Sequence, residues 1–287
     1  MLEKTPKKFV IFCFVTILPT ITGSTFEKDV TLTLDQKVLL DKFRAQVVDK
    51  MPQDYMKSEI YLVKWLRTSN FHIGAAEERL FQHLEWRKDR GIDDEKYELD
   101  RKSEPLDDDI RFYLDGRDKL GRPFMLLETR NHDARRLIIQ GKYDKLVRFY
   151  EHAFESGCKL VLDFTEKYKN VTRGHLLVNL DGLIIQQNSC VACVTMFVQN
   201  IINFVQNYPE CIDKIIVANA PLSFNVFANI GKAAFSEEIR RNVQVYGKNT
   251  QLLRKSLSTD FERDQIPPSL GGSKIYAGME DENVDRK

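Results

Sequence analysis

The stretch that decides the fold is "NYPECIDKIIVANAPLSF", Asn207 to Phe224. A polar turn leads into an apolar run, Lys214 to Asn219, that reads as a short strand and stops at Ala220-Pro221. The next segment, "SFNVFANIGKAAF" (Ser223 to Phe235), has more apolar surface than a solvent-facing helix shows. The question it raises is what so greasy a helix covers.

Upstream of this stretch, "NSCVACVTMFVQNIINFV" reads as a buried helix over Val191 to Asn207, preceded by a short strand in "HLLVNLDG". A long helical stretch runs from about Asp144 to Tyr168. Before it, turn chemistry at Asp118 to Pro123 introduces a strand from Phe124 to Glu128. Downstream, Ser236 is placed to cap "EEIRRN", and a strand "VQVYG" and a helix containing "QLLRKSL" follow. Strands alternating with helices imply right-handed crossovers and a largely parallel sheet. Alternate strand residues share a face, so Met125 with Leu127, Leu176 with Val178 and Leu180, and Ile215 with Val217 and Asn219 form one set. The sequence leaves open which set points inward.

The first third is different in kind. "TLDQ" (Thr33 to Gln36) fits a capping box, and Leu34, Val38, Phe43 and Val47 recur at roughly helical spacing. Ile60, Val63 and Leu66 mark a second helix; Ala76, Leu80 and Leu84 mark a third that ends at Gly91. An acidic connector, "DDEKYELDRKSEPLDDD", separates this helical module from the strands. The expected organisation is a leader over residues 1–24, a helical module over 28–92, an α/β domain over 104–275 and a short polar tail over 276–287. The segment after Gly272 reads as charged and frayed.

The leader, "MLEKTPKKFVIFCFVTILPTITGST", sets Lys4, Lys7 and Lys8 before an apolar run from Phe9 to Leu18 and small residues at Thr22 to Ser24. That order matches a secretory signal peptide, and the run is about half of the ~20 residues that span a bilayer. Five cysteines are present; removing Cys13 with the leader leaves Cys158, Cys190, Cys193 and Cys211, too sparse for a disulfide framework. Cys190 and Cys193 read as small hydrophobes of a buried helix. "NVT" (Asn170 to Thr172) is a glycosylation sequon, usable only in the secretory pathway. The expected location is that pathway or the outside of the cell, with cytoplasm and peripheral membrane contact as the alternative.

Lys+Arg 43 against Asp+Glu 42 leaves a net charge of +1, which gives no field that would draw nucleic acid. Catalytic patterns are missing: there is no GxSxG, GxGxxG or GxxxxGK[ST], and no cysteine is followed by arginine six residues later. The five histidines lie scattered, none at zinc-site spacing. A non-catalytic protein without metal or cofactor is the expectation.

Taken together, these residues resemble the CRAL-TRIO family of lipid-binding and lipid-transfer proteins, whose members carry phosphatidylinositol and phosphatidylcholine, tocopherol or retinaldehyde. "LVKWLRTSNFHIGAAEERLFQHLEWRK" (Leu62 to Lys88) is similar to the family's N-terminal helical motif, and "DKLGRP" (Asp118 to Pro123) to its DxxGRP turn. Asp181-Gly182, Tyr208-Pro209-Glu210, Asn219-Ala220-Pro221 and "IPPSLGG" (Ile266 to Gly272) match further motifs in order. The resemblance runs from about Leu34 to Gly272.

It implies a sheet flooring an apolar pocket, closed by a movable gate helix after Pro221. The pocket and gate residues so implied are Met125, Leu127, Val178, Leu180, Val217, Asn219, Phe224, Phe227, Ile230 and Phe235. In members that bind phosphatidylinositol a glutamate and a lysine hold the headgroup; Glu210 and Lys232 occupy those places. The chain departs from the family at Cys211, which replaces an arginine, at "KAAF" (Lys232 to Phe235), which lacks a proline, and at "RTSNF" (Arg67 to Phe71), which loses two positive charges. The ligand class therefore stays open between a phospholipid and an isoprenoid. The implied function is transfer of one lipid by a monomer that touches membranes transiently. The alternative is an interaction scaffold with a vestigial pocket.

Overall fold

A computed structural model describes residues 25–94, 106, 110–235, 237–248, 250–277 and 279. The leader, most of the acidic connector, Ser236 and the end of the tail lie outside the described residues. The chain starts with α1 (Thr25–Val30), α2 (Leu34–Val47), α3 (Glu59–Thr68) and α4 (Ile73–Arg90). The capping box forms as expected: the Gln36 N–H donates to Thr33 Oγ1 at 3.2 Å, and the Thr33 N–H donates to Gln36 Oε1 at 3.0 Å. Phe43, Val47, Leu62, Trp65, Leu66, Ala76 and Leu80 make the core of this bundle. Leu34 and Val38, expected on the buried stripe, are exposed, because α2 buries side chains only from Leu40 onward. Gly91 ends α4 in the left-handed conformation at φ 59°, where a glycine has no Cβ penalty.

A five-stranded sheet follows in the order β1-β2-β3-β4-β5. Its strands are β1 (Arg111–Arg117), β2 (Pro123–Glu128), β3 (Gly174–Asn179), β4 (Ile212–Ala220) and β5 (Val243–Gly247). Only β1 runs antiparallel to its neighbour. The sequence reading missed β1, which forms a hairpin with β2 around "DKLGRP". Asp118 holds that turn by accepting from the N–H groups of Leu120 and Arg122 at 2.9 and 2.7 Å, from Arg122 Nε at 2.7 Å and from His175 Nε2 at 3.0 Å. Burial would raise the Asp118 carboxyl, but His175 and Arg122 outweigh it and hold it down to about 2.

Each parallel connection is helical. Strand β2 leads through α5 (Ala134–Ile139) and α6 (Tyr143–Tyr168); β3 through α7 (Ile185–Asn188) and α8 (Val191–Asn207); β4 through α9 (Phe224–Ala234) and α10 (Glu237–Arg241). Strand order follows chain order, so right-handed crossovers put all these helices on one face. The opposite face is covered by α11 (Thr250–Asp260) and the chain beyond it: Leu126, Leu177, Ile216 and Ala218 pack with Leu253, Leu257 and Phe261. Tyr276 and Met279 are buried in the same core, and the Tyr276 hydroxyl donates to Gln265 O at 2.7 Å. In the segment expected to fray after Gly272, and to form a polar tail from Tyr276, the side chains of Tyr276 and Met279 are therefore buried.

Two disulfides correct the reading of the cysteines. Cys158–Cys211 ties α6 to the segment before β4, and Cys190–Cys193 closes the start of α8. Cys190 is the N-cap of that helix, its Sγ accepting from the Cys193 N–H, and it also packs against the core that buries Cys193.

Candidate functional site

The register of the sheet aligns side chains of one face into rows. Leu127 lies beside Val178, Val178 beside Val217 and Val217 beside Val245; Leu176, Ile215 and Val243 form the next row. These rows point toward the crossover helices, the face shared by the residues proposed from the sequence. The helices do not close onto them fully. A cavity of about 190 Å³ remains between the sheet floor, α6, α8 and α9. Leu127, Leu176, Val178, Leu180, Ile215 and Val217 line its floor.

Helix α9 covers the opening with Phe224, Phe227, Ala228, Gly231 and Lys232, and Phe235 follows at its end. The Phe227 ring meets Phe197 of α8 edge to face with centroids 5.8 Å apart, and stacks on Phe224 at 6.2 Å. At Gly231 the two helices approach so closely that a Cβ would stand 3.1 Å from Ile201 Cδ1. The apolar surface of this helix thus faces the cavity, which answers the question posed by its sequence.

Among the predicted residues, Leu127, Val178, Leu180, Val217, Phe224, Phe227 and Phe235 line the cavity. Met125, Asn219 and Ile230 do not. Met125 belongs to the same face, but at the start of its strand α6 packs against it: a Cβ on Gly157 would stand 3.6 Å from Met125 Sδ. The β4–β5 register shifts between Val217 and Ala220, and Asn219 adopts φ 57°, an αL conformation that asparagine tolerates. Its Nδ2 donates to Asn179 Oδ1 at 2.8 Å, and Asn179 donates to Glu128 Oε2 at 2.9 Å, so these residues tie the strand ends together. Ile230 sits half-buried on the flank of α9.

The two headgroup candidates are not brought together. Lys232 lines the cavity, half-buried, whereas Glu210 lies outside it. Glu210 stands 3.1 Å from Arg67 and 3.3 Å from Arg173. Asp29 completes that cluster: Arg173 donates to both its oxygens at 2.7 Å, Thr172 Oγ1 donates to Oδ2 at 2.7 Å, and Arg67 stands at 3.2 Å. Burial raises the Glu210 carboxyl, against the pull of the two arginines. Burial and the neighbouring Arg173 push the adjacent Lys64 ammonium down to about 8, and Lys64 donates to Thr172 O at 2.8 Å. The cluster joins α1, α3 and the N-terminal ends of β3 and β4, segments far apart in the sequence. Asn170 of the sequon is exposed, while its Thr172 is buried.

Sequence reasoning also missed polar side chains of the cavity wall, Thr129, His132, Tyr150, Asn188 and Asn200. They carried no signal of their own: His132 lies in a polar run, Thr129 to Arg136, and Tyr150 and Asn200 have polar neighbours in Glu151 and Gln199. Among the described residues, no three His, Cys, Asp or Glu side chains are placed to hold a metal ion, and no helix is long and apolar enough to cross a membrane.

Comparison with known proteins gives concordant results. Residues 107–272 match the sequence family described as the CRAL/TRIO domain. "Protein real-time" of Aedes aegypti is 28% identical over 248 residues, covering 84% of this chain and 37% of that protein. A CRAL-TRIO domain-containing protein of Caenorhabditis elegans is 27% identical over 232 residues, covering 78% of this chain and 30% of that protein. The chain spans about a third of the length of these curated relatives. The crystal structure of Sfh5 matches with a TM-score of 0.59 at 16% identity, over 78% of this chain and 84% of that one, a likeness of fold.

Proposed function

The chain belongs to the CRAL-TRIO family, whose members are in general non-catalytic lipid-binding proteins, and from that premise we propose that it binds one hydrophobic ligand in the cavity under α9 and transfers it between membranes. The observation that carries this reading is the apolar cavity between the sheet and a phenylalanine-rich helix. A stable core has no use for such a void, since unfilled apolar volume forfeits packing energy. Filled by hydrocarbon, the same walls gain roughly 25 cal/mol for each Å² removed from water.

Opening would be by movement of α9, and the rim supports a membrane encounter. Leu222 is 92% exposed, Val226 65%, Val191 86% and Ile184 50%. Each stands one or two positions along the chain from a cavity-lining residue: Phe224, Phe227, Cys193 and Ile185. A membrane surface would cover these side chains while α9 exchanges its contacts with α8 for contacts with lipid. The secretory pathway fits the leader and an exposed Asn170, and an oxidising compartment suits two disulfides. A glycosidase-sensitive mass shift at Asn170 together with loss of Met1 to Ser24 is the expected result; a retained leader would place the protein in the cytoplasm.

The test of function is lipid mass spectrometry on an organic extract of the protein, purified from eukaryotic cells without detergent and then offered phosphatidylcholine vesicles. Near-stoichiometric lipid is expected for the wild type, and its loss in Phe227→Asp, which sets a charge against the ligand. A wild-type protein that holds no lipid and takes none from vesicles is a scaffold, and the transfer reading fails.

A further inference from the structure

The cavity wall carries two hydrogen-bonding groups without partners. The side-chain nitrogen Nδ2 of Asn200 and Nδ1 of His132 are both buried and unbonded, in residues that are 5% and 6% exposed. Both side chains line the cavity. The other ring nitrogen of His132 is engaged, lying 3.2 Å from the Tyr150 hydroxyl, which also borders the cavity. An unpaired buried donor or acceptor is destabilising, so two on one wall ask for a partner the chain itself does not supply.

These groups belong to the same part of the wall. Phe154 of α6 and Phe204 of α8 meet with centroids 4.8 Å apart. Tyr150 and Asn200 each precede those rings by four residues, one helical turn, and α6 and α8 run side by side in the same sense from there to the Cys158–Cys211 bond. Asn200 is therefore level with Tyr150, which holds His132. Phe197 and Ile201 form the neighbouring stripe of α8, the one that meets α9. Lys232, on α9, is the only charged side chain among the described residues lining the cavity, and it belongs to that stripe's side.

We infer that Asn200 and His132, with Tyr150 positioning the imidazole, form an uncharged polar subsite that takes the single hydroxyl or carbonyl oxygen of an otherwise hydrocarbon ligand. The inference rests on the carrier reading above and narrows it: the ligand is a mono-oxygenated neutral lipid, isoprenoid or sterol in kind, with its oxygen on this wall. A hydroxyl or carbonyl oxygen accepts from the asparagine amide. A hydroxyl can in addition donate to, or accept from, Nδ1 according to the imidazole tautomer. Burial pushes the His132 imidazolium down to about 4, so the ring is neutral at physiological pH and offers no charge to attract a phosphate. An apolar pocket discriminates poorly between hydrocarbon shapes, whereas a site with buried polar groups rejects the analogue that leaves them unpaired.

The test offers the full-length oxidised protein phosphatidylcholine vesicles containing equal amounts of phytol and its parent hydrocarbon phytane, and measures both in the re-isolated protein by mass spectrometry. The wild type should take up phytol at least about tenfold over phytane. Asn200→Leu and His132→Phe should each reduce that preference towards unity while phytane uptake holds or rises. Equal uptake by the wild type overturns the subsite and leaves the carrier reading standing. A preference unchanged in both variants overturns the assignment to these residues. If a variant fails to fold, the wild-type ratio still decides whether the wall selects an oxygen. Uptake of phosphatidylcholine with exclusion of both probes refutes the ligand class, and uptake of nothing at all refutes the carrier reading with it.

Discussion

On the face of the sheet covered by α11, Leu126, Leu177 and Ile216 meet Leu253, Leu257 and Phe261 in a closed core. On the other face Leu127, Val178 and Val217, each one position along the chain from those residues, look into an open volume. The chemistry of the two rows is nearly the same, so the sheet does not determine which becomes core and which becomes cavity. The covering elements do. Beyond α11 the chain interdigitates with the strands; α6 and α8 meet each other through Phe154 and Phe204 and leave part of the floor uncovered, and α9 touches α8 mainly through Phe227, Gly231 and their neighbours. Stability is concentrated where packing is complete, and binding capacity where packing has been withheld.

That contrast can be broken most forcefully from the closed side. Phe261 is 2% exposed and meets the Phe124 ring edge to face with centroids 4.9 Å apart. Phe261→Ala should lower the free energy of unfolding by about 3–5 kcal/mol in urea titration, through lost burial and the cavity left behind. Lipid capacity per folded molecule should not change. A comparable loss of capacity in the folded fraction would mean that the two faces are coupled.

A smaller effect is expected at the β1–β2 turn, which closes one end of both faces. The Asp118 carboxyl is held below its ordinary value of 3.8, at about 2. Its stabilising contribution is therefore fully present above pH 4 and is lost as pH falls through about 2. Asp118→Asn should cost about 2 kcal/mol at neutral pH. The gap between variant and wild type should narrow between pH 4 and pH 2 in acid-unfolding curves; a gap independent of pH would show that geometry, not charge, holds the turn.

The smallest effect on stability, and the largest on binding, belongs to Gly231. In Gly231→Leu the new side chain collides with Ile201, while removing a helical glycine offsets the strain by roughly 0.5–1 kcal/mol. Stability should change by less than about 1 kcal/mol, whereas bound lipid should leave faster when measured by transfer to acceptor vesicles. Unchanged release would show that α9 does not gate the cavity by closing on α8.

How much of this was legible beforehand follows from the range of each interaction. Local patterns survived: the capping box at Thr33, the αL stop at Gly91, the strand alternation of β2, β3 and β4 and the apolar excess of α9 all depend on a few neighbouring residues. Strand β1 escaped notice because four of its seven residues, Arg111, Asp115, Gly116 and Arg117, are charged or glycine. Gly116 is required there, since a Cβ would overlap the Phe124 ring. The Cys158–Cys211 pairing, the Asp29 cluster and the polar wall were illegible for a different reason. Residues 29, 67, 173 and 210 meet, and 132, 150 and 200 come to line one cavity, only after the sheet has formed, and no periodicity records such a meeting. Glu210 shows the hazard: a motif position located it correctly along the chain, while its surroundings make it a partner of arginines away from the cavity.

The cluster around Asp29 also determines where the chain can be shortened. The fully buried core of the bundle begins with Leu40, with Leu32 packed against it, so α1 looks dispensable from packing alone. Yet α1, six residues long, delivers one of the two carboxylates that balance Lys64, Arg67 and Arg173. A chain beginning at Leu34 would leave three buried or half-buried cations facing Glu210 alone, and an uncompensated buried charge costs several kcal/mol. The boundary of the folded unit is therefore drawn by charge balance, a few residues outside the line that its hydrophobic core would draw.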